Sequence, residues 1–451
     1  MALTQFKVNK ISYYTIFFIT GVYLVFFQLF ENYKNPKFIN YDAVSYYSYL
    51  PAIFIHHDIK LTFTGGEYTD HFWPDKAPNG GNVIKTTCGM AILYSPFFFT
   101  GHLLANILDY EASGFTLPYG VCLYFGTIFY VFIGLFFLRK VLLYYFEDKY
   151  VALTLFTLCL GTNLFYQSVY EALITHAYNF TLSSIFLYLI IKWHEKPLFS
   201  NSLFLGLVGG LMVLIRPTNV MIALLFILYG ISSIASLKSK LKLIFTNSHY
   251  LILMVVAGFC MLIPQLLYWQ YVTGSWHYYS YGNERFFFTN PHIIEGLFSY
   301  RKGWLLYTPM MCFSLAGILL LRKALPQYFL AISIFMIIFI YITFSWWCWW
   351  YGGVFGMRPF VDFYPFLAIP LCLFFKTFLV KRKVAVPLLT ICAFFVYVNI
   401  FQTNQYKEGY LHWDAVSSKT YWQSFLVNKR YNQYDLKCPS YHNASKGIDE
   451  Y

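Results

Sequence analysis

Long apolar runs separated by short polar segments dominate this chain. A helix that crosses a membrane needs about 20 predominantly apolar residues. Runs of that kind predict spans at 11–30, 118–138, 150–166, 172–191, 249–271, 304–321, 327–345, 363–380 and 384–401. The run 202–236 is too long for one span, and we divide it into 202–215 and 218–236 because Arg216-Pro217 interrupts it. The pattern therefore predicts an all-α, polytopic membrane helix bundle of about 11 spans.

The stretch 88–108 decides which side of the membrane each loop faces. Lysine and arginine concentrate in short loops at 139–149, 192–196, 238–242, 322–323 and 381–383. These loops would face outward if 88–108 spanned the membrane, and they all face the cytoplasm if it lies in the interface. Because basic loops favour the cytoplasmic side, we expect a non-spanning segment. The N-terminus is then cytoplasmic.

This topology places the long loops on the outer face. The first outer loop, 31–117, is the longest and is expected to contain juxtamembrane helices. We take 1–401 as the transmembrane domain and 402–451 as an outward-facing polar tail. Loops of this length are usually functional or disordered. The active site is therefore expected in the 31–117 loop, facing the exterior.

Composition supports a membrane protein and argues against a nucleic-acid partner. The 451 residues are 58% hydrophobic and only 12% charged, whereas about a quarter of a typical soluble chain is charged. The net charge of +12 is explained by the basic cytoplasmic loops. None of the nine cysteines forms a CxxC pair, which favours small buried hydrophobic residues over a disulfide framework.

One acidic residue in the first outer loop has two interpretations. Asp42 begins an apolar-aromatic stretch, 43–55, that is typical of a short helix on a membrane surface. Aspartate is a favoured N-cap, and a cap contributes about 1 kcal/mol. A carboxylate at a helix N-terminus near the lipid boundary is also a candidate catalytic base. The two interpretations are compatible.

Other ionisable groups are further candidates. His56, His57 and Asp58 follow the surface helix and could bind a divalent metal, although adjacent helical residues point in different directions. Glu171 and His176 flank the outer start of the span at 172–191, where an interfacial anchor is the other interpretation.

Basic residues on the outer face run against the charge bias and are candidate phosphate ligands. They are Arg216, Arg285, Arg301, Lys302 and Arg358, with Asp362 close to the last of them. The planar arginine fork matches phosphate oxygens. Several such groups with one carboxylate favour a negatively charged amphiphile, such as a polyprenyl-phosphate sugar, as the ligand.

The layout resembles the GT-C superfamily of integral membrane glycosyltransferases, which includes protein O-mannosyltransferases and lipid A aminoarabinose transferases. The resemblance covers residues 11–401 as topology, with Asp42 at the acidic position after the first span. The segment 88–108 resembles the second juxtamembrane helix, and LIRPTN resembles a basic-proline turn. Ala43 stands where many relatives have a second acidic residue, and WWCWWYGG lacks the aspartate of the WWDYG signature.

The resemblance implies a membrane glycosyltransferase, and the usage of many Phe, Tyr and Lys residues, which suits a low-GC bacterium, places it in a bacterial inner membrane. It would move a sugar from a polyprenyl-phosphate donor to a lipid, glycan or protein acceptor on the outer face, with Asp42 as base and the arginines on the donor phosphate. No cofactor is established, and a divalent metal stays an open alternative. Three rival functions remain: a surface-polysaccharide polymerase or ligase, a transporter of polyprenyl-linked lipids, and a non-catalytic assembly protein.

Overall fold

The computed structural model describes residues 10–430 and 441–447. The α-helices in these residues are α1 (Ile11–Phe30), α2 (Asp42–Tyr47), α3 (Tyr49–Phe54), α4 (Gly89–Ile107), α5 (Leu117–Leu143), α6 (Asp148–Leu160), α7 (Leu164–Val169), α8 (Thr175–Glu195), α9 (Phe199–Ile215), α10 (Ile222–Leu228), α11 (Ile234–Thr246), α12 (Ser248–Thr273), α13 (Ile293–Phe298), α14 (Trp304–Tyr307), α15 (Met310–Ala324), α16 (Pro326–Phe344), α17 (Tyr364–Phe378), α18 (Arg382–Lys407), α19 (Ser418–Ser424) and α20 (Tyr441–Ser445). Short 3₁₀ helices occur at Asn32–Lys34, Thr62–Thr64, Pro217–Met221 and Arg358–Phe363. The strands β1 (Pro74–Lys76) and β2 (Asn82–Ile84) form one antiparallel hairpin in the first loop.

Apolar helices confirm the predicted all-α membrane protein. Among the described residues, seven helical segments are long and apolar enough to cross a membrane. They are Ile11–Phe30, Gly89–Ile107, Leu117–Leu143, Ser248–Thr273, Pro326–Phe344, Arg358–Phe378 and Arg382–Lys407. Two predicted spans are each divided into two helices. The span 150–166 is divided between α6 and α7, and the span 304–321 is divided between α14 and α15.

The long run 202–236 divides at the predicted arginine-proline pair. Helix α9 ends at Ile215, Arg216 is extended, and Pro217 opens a 3₁₀ helix. The second half differs from the prediction of one helix over 218–236, because α10 already ends at Leu228. Ser233 then caps a new helix, α11, by accepting a hydrogen bond from the Ser236 backbone N–H.

Basic loops meet at one end of the bundle. Arg139, near the end of α5, lies 3.7 Å from Asp148, and the Asp148 carboxylate also accepts the backbone N–H of Ser12 at the start of α1. Lys240 of α11 donates to the carbonyl oxygens of Phe226 and Tyr229. The first turns of α1 and α6 therefore lie beside the last turns of α5, as short loops between antiparallel helices require.

Helix α4 packs along the other half of α5. The Tyr130 hydroxyl donates to the Leu93 carbonyl, Phe97 contacts Gly126, and Gly101 abuts Tyr119. These contacts run from the middle of α5 to its first turn, away from the basic end. Helix α4 therefore begins near the middle of the bundle. It ends beside the first turn of α5, at the same end of the bundle as the rest of the 31–117 loop.

Candidate active site

A cavity of about 1060 Å³ opens at the end of the bundle opposite the basic loops. Its walls are the first loop, the turn before α8, the turn after α9, and the segments that follow α12, α16 and α18. Asp42, Glu171, His176, Arg216 and Arg358 all line it. The fold thus brings together five of the candidates that are scattered over more than 300 residues of sequence.

Asp42 is the first residue of α2, and its side chain turns into the cavity. Tyr41 occupies the N-cap position, so the interpretation of Asp42 as the cap is wrong. The Asp42 carboxylate instead accepts a hydrogen bond from Arg358 Nη2 at 3.0 Å and stays 52% exposed. Tyr41 has a φ of 49°, a left-handed conformation that is strained in a residue with a Cβ. The backbone is therefore forced into an unfavourable shape directly before the candidate base.

Glu171 is a second carboxyl group beside Arg358. Burial raises its pKa to about 7, with Arg358 opposing that shift and Asp42 adding to it. Gln167 Nε2 donates to the Glu171 carboxylate at 3.3 Å, and Asn32 holds the turn through a 2.8 Å bond to the Tyr170 carbonyl. Glu171 therefore changes charge near neutral pH at a fixed place in the cavity wall.

A buried polar cluster lies under Arg216. Asp362 accepts hydrogen bonds from Asn179 Nδ2 at 2.9 Å and is 2.6 Å from His176 Nδ1, all in the protein interior. Arg216 Nη1 lies 3.9 Å from the same carboxylate, and its guanidinium is 5.9 Å from the ring of Tyr351. Because two partners fix Asp362, the carboxylate holds Arg216 at the cavity wall. Asp362 itself touches a small side cavity of about 20 Å³ and not the main one.

Three of the five predicted phosphate ligands lie away from the cavity. Arg301 pairs with Asp414 at 2.7 Å and stacks 3.5 Å over the Trp350 ring. Lys302 donates to the carbonyl oxygens of Val354 and Trp413, and burial lowers its pKa to about 7. These contacts hold chain segments together, and neither Arg301 nor Lys302 lines the cavity.

Arg285 is the third basic residue away from the cavity. Its guanidinium lies 5.0 Å from the ring of Phe287, and its carbonyl oxygen accepts the Trp347 backbone N–H. Arg285 does not line the cavity within the described part of the chain. The phosphate-binding prediction is therefore reduced to Arg216 and Arg358.

The histidine pair after α3 also points elsewhere. His56 stacks on Phe63 with ring centroids 4.0 Å apart, and His57 has a φ of 53° in an exposed turn. Asp58 accepts the backbone N–H groups of Lys60 and Thr62 and shapes that turn. Within residues 10–430 and 441–447, no group of three His, Cys, Asp or Glu side chains could hold a metal ion. In this structure His56 packs on Phe63, and Asp58 shapes the turn that contains His57.

The polar tail forms part of the cavity wall. Residues after α18 turn back, and Gln405 Nε2 donates to the Ser424 carbonyl at 2.7 Å. The Trp413 ring covers Gly353 and lines the cavity beside Tyr406. The ion pair between Arg301 and Asp414 therefore fastens the chain segment that carries Trp413.

Sequence reasoning missed an ion pair at the mouth of the cavity. Lys85 Nζ lies 2.6 Å from Glu284 Oε1, and both residues line the cavity. The first loop and the loop after α12 provide one residue each. Two ordinary charged residues 199 positions apart carry no recognisable spacing, so only the fold reveals the pair.

The site combines one half-exposed carboxylate, one carboxyl group that titrates near neutral pH and two fixed guanidinium groups. This set can remove a proton from an acceptor and bind a phosphate in the same cavity. Comparisons with protein-family models and with curated proteins found no match for this chain.

Proposed function

We propose that the chain is a membrane glycosyltransferase that moves a sugar from a polyprenyl-phosphate donor to an acceptor hydroxyl. The observation that carries the proposal is the shared cavity of Asp42, Arg216 and Arg358 at one end of an apolar helix bundle. A carboxylate and two arginines in one cavity suit a reaction that needs a base for the acceptor hydroxyl and cationic groups for the donor phosphate.

The cavity is assigned to the outer face of a bacterial inner membrane. It opens at the end opposite Arg139, Lys240 and the other basic loops, which favour the cytoplasm. This proposal takes α4, one of the seven helices long and apolar enough to cross, as a juxtamembrane helix, because the charge bias favours it and its contacts with α5 lie in the outer half. The bundle then keeps about 11 crossings. A lipid-linked donor reaches such a site without a soluble nucleotide sugar.

Arg216 and Arg358 bind the donor phosphate. Both are held in place before the ligand arrives, Arg216 by Asp362 and Arg358 by Asp42. Preorganised cations stabilise the charge that develops on the leaving phosphate at little reorganisation cost. The donor phosphate replaces the Asp42 carboxylate as the main partner of Arg358.

Asp42 then acts as the base. The acceptor O–H bond breaks, its proton moves to Asp42, and the oxygen forms a bond to the anomeric carbon. The bond between that carbon and the phosphate oxygen breaks on the opposite face, and its electron pair leaves with the phosphate. The products are an inverted glycoside and a polyprenyl phosphate. A well-placed base contributes roughly 100- to 10,000-fold to the rate.

The decisive experiment compares intact protein with Asp42→Asn in transfer from labelled polyprenyl-phosphate sugars to membrane acceptors. Asp109→Asn is the matched control, because Asp109 belongs to the same loop, is exposed and does not line the cavity. We expect Asp42→Asn to lose at least 100-fold in rate and Asp109→Asn to retain it. Equal transfer by both variants would refute the role of Asp42.

A negative result for intact protein is also informative. If the intact protein transfers sugar from no donor but moves the donor across vesicle membranes, the protein is a transporter and not a glycosyltransferase. Transfer of long preassembled glycans in place of single sugars would favour a polysaccharide polymerase or ligase.

A further inference from the structure

We infer that the outer part of the cavity binds a neutral saccharide, which serves as the acceptor. The role of this saccharide as the acceptor rests on the proposed function. The binding site itself is formed by a separate set of residues. We call this set the aromatic rim: Tyr68, Trp73, Tyr279 and Tyr281, which all line the cavity.

The rim presents ring surfaces to solvent. Tyr68 is 64% exposed and Tyr279 is 50% exposed, although both belong to a cavity wall. An aromatic ring combines a large apolar face with, in tyrosine, a polar tip. The C–H face of a pyranose packs against such rings while its hydroxyls need donors and acceptors at the ring edges. Exposed tyrosines around a cavity therefore match a sugar better than a hydrocarbon chain.

The rings are already fixed in position. The Tyr68 hydroxyl donates to Asp75 at 2.7 Å, and the Tyr279 hydroxyl donates to the Glu284 carbonyl. The ammonium group of Lys85 lies 5.3 Å from the Tyr281 ring centroid. Fixed side chains lose little freedom when a ligand binds, which favours affinity for a weakly binding sugar.

The charges of the rim balance one another. Lys37 pairs with Asp70 at 2.7 Å, Lys85 pairs with Glu284 at 2.6 Å, and Asp75 accepts from Tyr68. The cavity-lining members of this group are two lysines and two acids, so no charge is in excess. The surplus cations that an anionic headgroup needs are Arg216 and Arg358, which line the same cavity but belong to other chain segments than the rim. The rim therefore selects for an uncharged partner.

The volume leaves room for both ligands. Typical small-molecule sites enclose about 300–1,000 Å³, and this cavity has about 1060 Å³. A sugar phosphate at Arg216 and Arg358 and a saccharide on the rim would share this one cavity, which Asp42 also lines.

The test measures saccharide binding by the full chain without any donor. Ligand-observed saturation-transfer NMR in detergent micelles would use maltotriose, chitotriose and mannotriose as probes, with a neutral Ser/Thr-rich peptide and a phosphorylated disaccharide as competitors. We expect at least one neutral trisaccharide to bind, and binding to weaken about fivefold or more in Tyr68→Ala/Tyr279→Ala.

Two controls separate stacking from general damage. Trp276→Ala removes an aromatic side chain that is 60% exposed but does not line the cavity, so binding should be unchanged. Tyr68→Phe/Tyr279→Phe keeps both rings and should retain most of the binding. Equal loss in the Phe and Ala pairs would overturn the stacking argument.

The outcomes also separate this inference from the proposed function. Trisaccharide binding that depends on the rim supports the inference even if no donor supports transfer, and in that case only the proposed function fails. Absence of binding by all three trisaccharides, or binding only of the peptide or the phosphorylated disaccharide, overturns the inference even if sugar transfer is observed.

Discussion

The guanidinium group of Arg358 donates from Nη2 to Asp42 Oδ2 at 3.0 Å and joins two residues 316 positions apart. Arg358 is 17% exposed, whereas Asp42 is 52% exposed. A partly exposed ion pair of this kind is weak and can exchange partners. A phosphate that takes Arg358 therefore frees the carboxylate that the reaction needs, and donor binding is coupled to activation of the base.

Replacement of Arg358 by lysine should separate charge from geometry. Lysine keeps the charge but loses the planar fork that contacts two phosphate oxygens. We expect Arg358→Lys to raise the donor KM about tenfold, with a smaller fall in kcat. Steady-state kinetics of Arg358→Lys, Asp42→Asn and the double variant would measure the coupling between donor binding and activation of the base. If the free-energy losses of the two single variants simply add in the double variant, the two residues are not coupled.

Donor binding should weaken as Glu171 ionises. Its pKa of about 7 means that Glu171 is neutral below that pH and anionic above it. A negative charge beside Arg358 competes with the donor phosphate. We therefore expect the dissociation constant of a short isoprenyl-phosphate sugar, a phosphodiester whose charge is constant in this range, to rise by roughly tenfold between pH 6 and pH 8 in calorimetry.

The Glu171→Gln variant provides the control for this pH profile. Lys302, whose pKa is also about 7, loses its positive charge over the same range and acts in the same direction. Glutamine at position 171 removes one of the two titrations and should flatten most of the profile. An unchanged profile in Glu171→Gln would assign the effect to Lys302.

Arg301 and Arg216 should differ in what their loss affects. Arg301→Ala leaves the buried carboxylate of Asp414 without its ion-pair partner, and such a loss costs about 3–5 kcal/mol. We expect a lower thermal midpoint and faster proteolysis after residue 410. Arg216→Ala should mainly raise the donor KM, because Asp362 keeps His176 and Asn179 as partners.

Cysteine labelling tests the position of α4. Asp70→Cys precedes α4 and Glu111→Cys follows it, whereas Lys149→Cys lies at the basic end of the bundle. We expect an impermeant maleimide added outside intact cells to label positions 70 and 111 and to leave position 149 unlabelled. Label at position 70 without label at position 111 would mean that α4 crosses the membrane.

The hydrophobic pattern located the long apolar helices, but it predicted neither the divisions within 150–166, 218–236 and 304–321 nor the partners of each helix. The break at Arg216-Pro217 was predictable, because proline and a membrane-embedded charge act locally. The difference between Arg216 and Arg301 was not, because it depends on whether Asp362 or Asp414 lies opposite. Neither local segment, LIRPTN or SYRKGW, indicates which carboxylate lies opposite its arginine. Only long-range packing decides which one faces a ligand and which one fastens the tail.

The cluster of His176, Asn179 and Asp362 shows the same limit. His176 and Asn179 lie on one face of α8, and that spacing alone is common among core residues. Asp362 arrives from a 3₁₀ helix 183 residues beyond Asn179. An isolated sequence contains no signal that pairs them.

The left-handed backbone at Tyr41 has a consequence for protein engineering. A residue with a Cβ in such a conformation costs of order 1–3 kcal/mol, and glycine removes most of that cost. Random mutagenesis selected only for heat resistance should therefore recover Tyr41→Gly. The same library selected for turnover should reject Tyr41→Gly, because glycine makes the backbone before Asp42 more flexible and its carboxylate less well positioned. Resistance to heat and catalytic rate would thus be traded against each other at a single position in the chain.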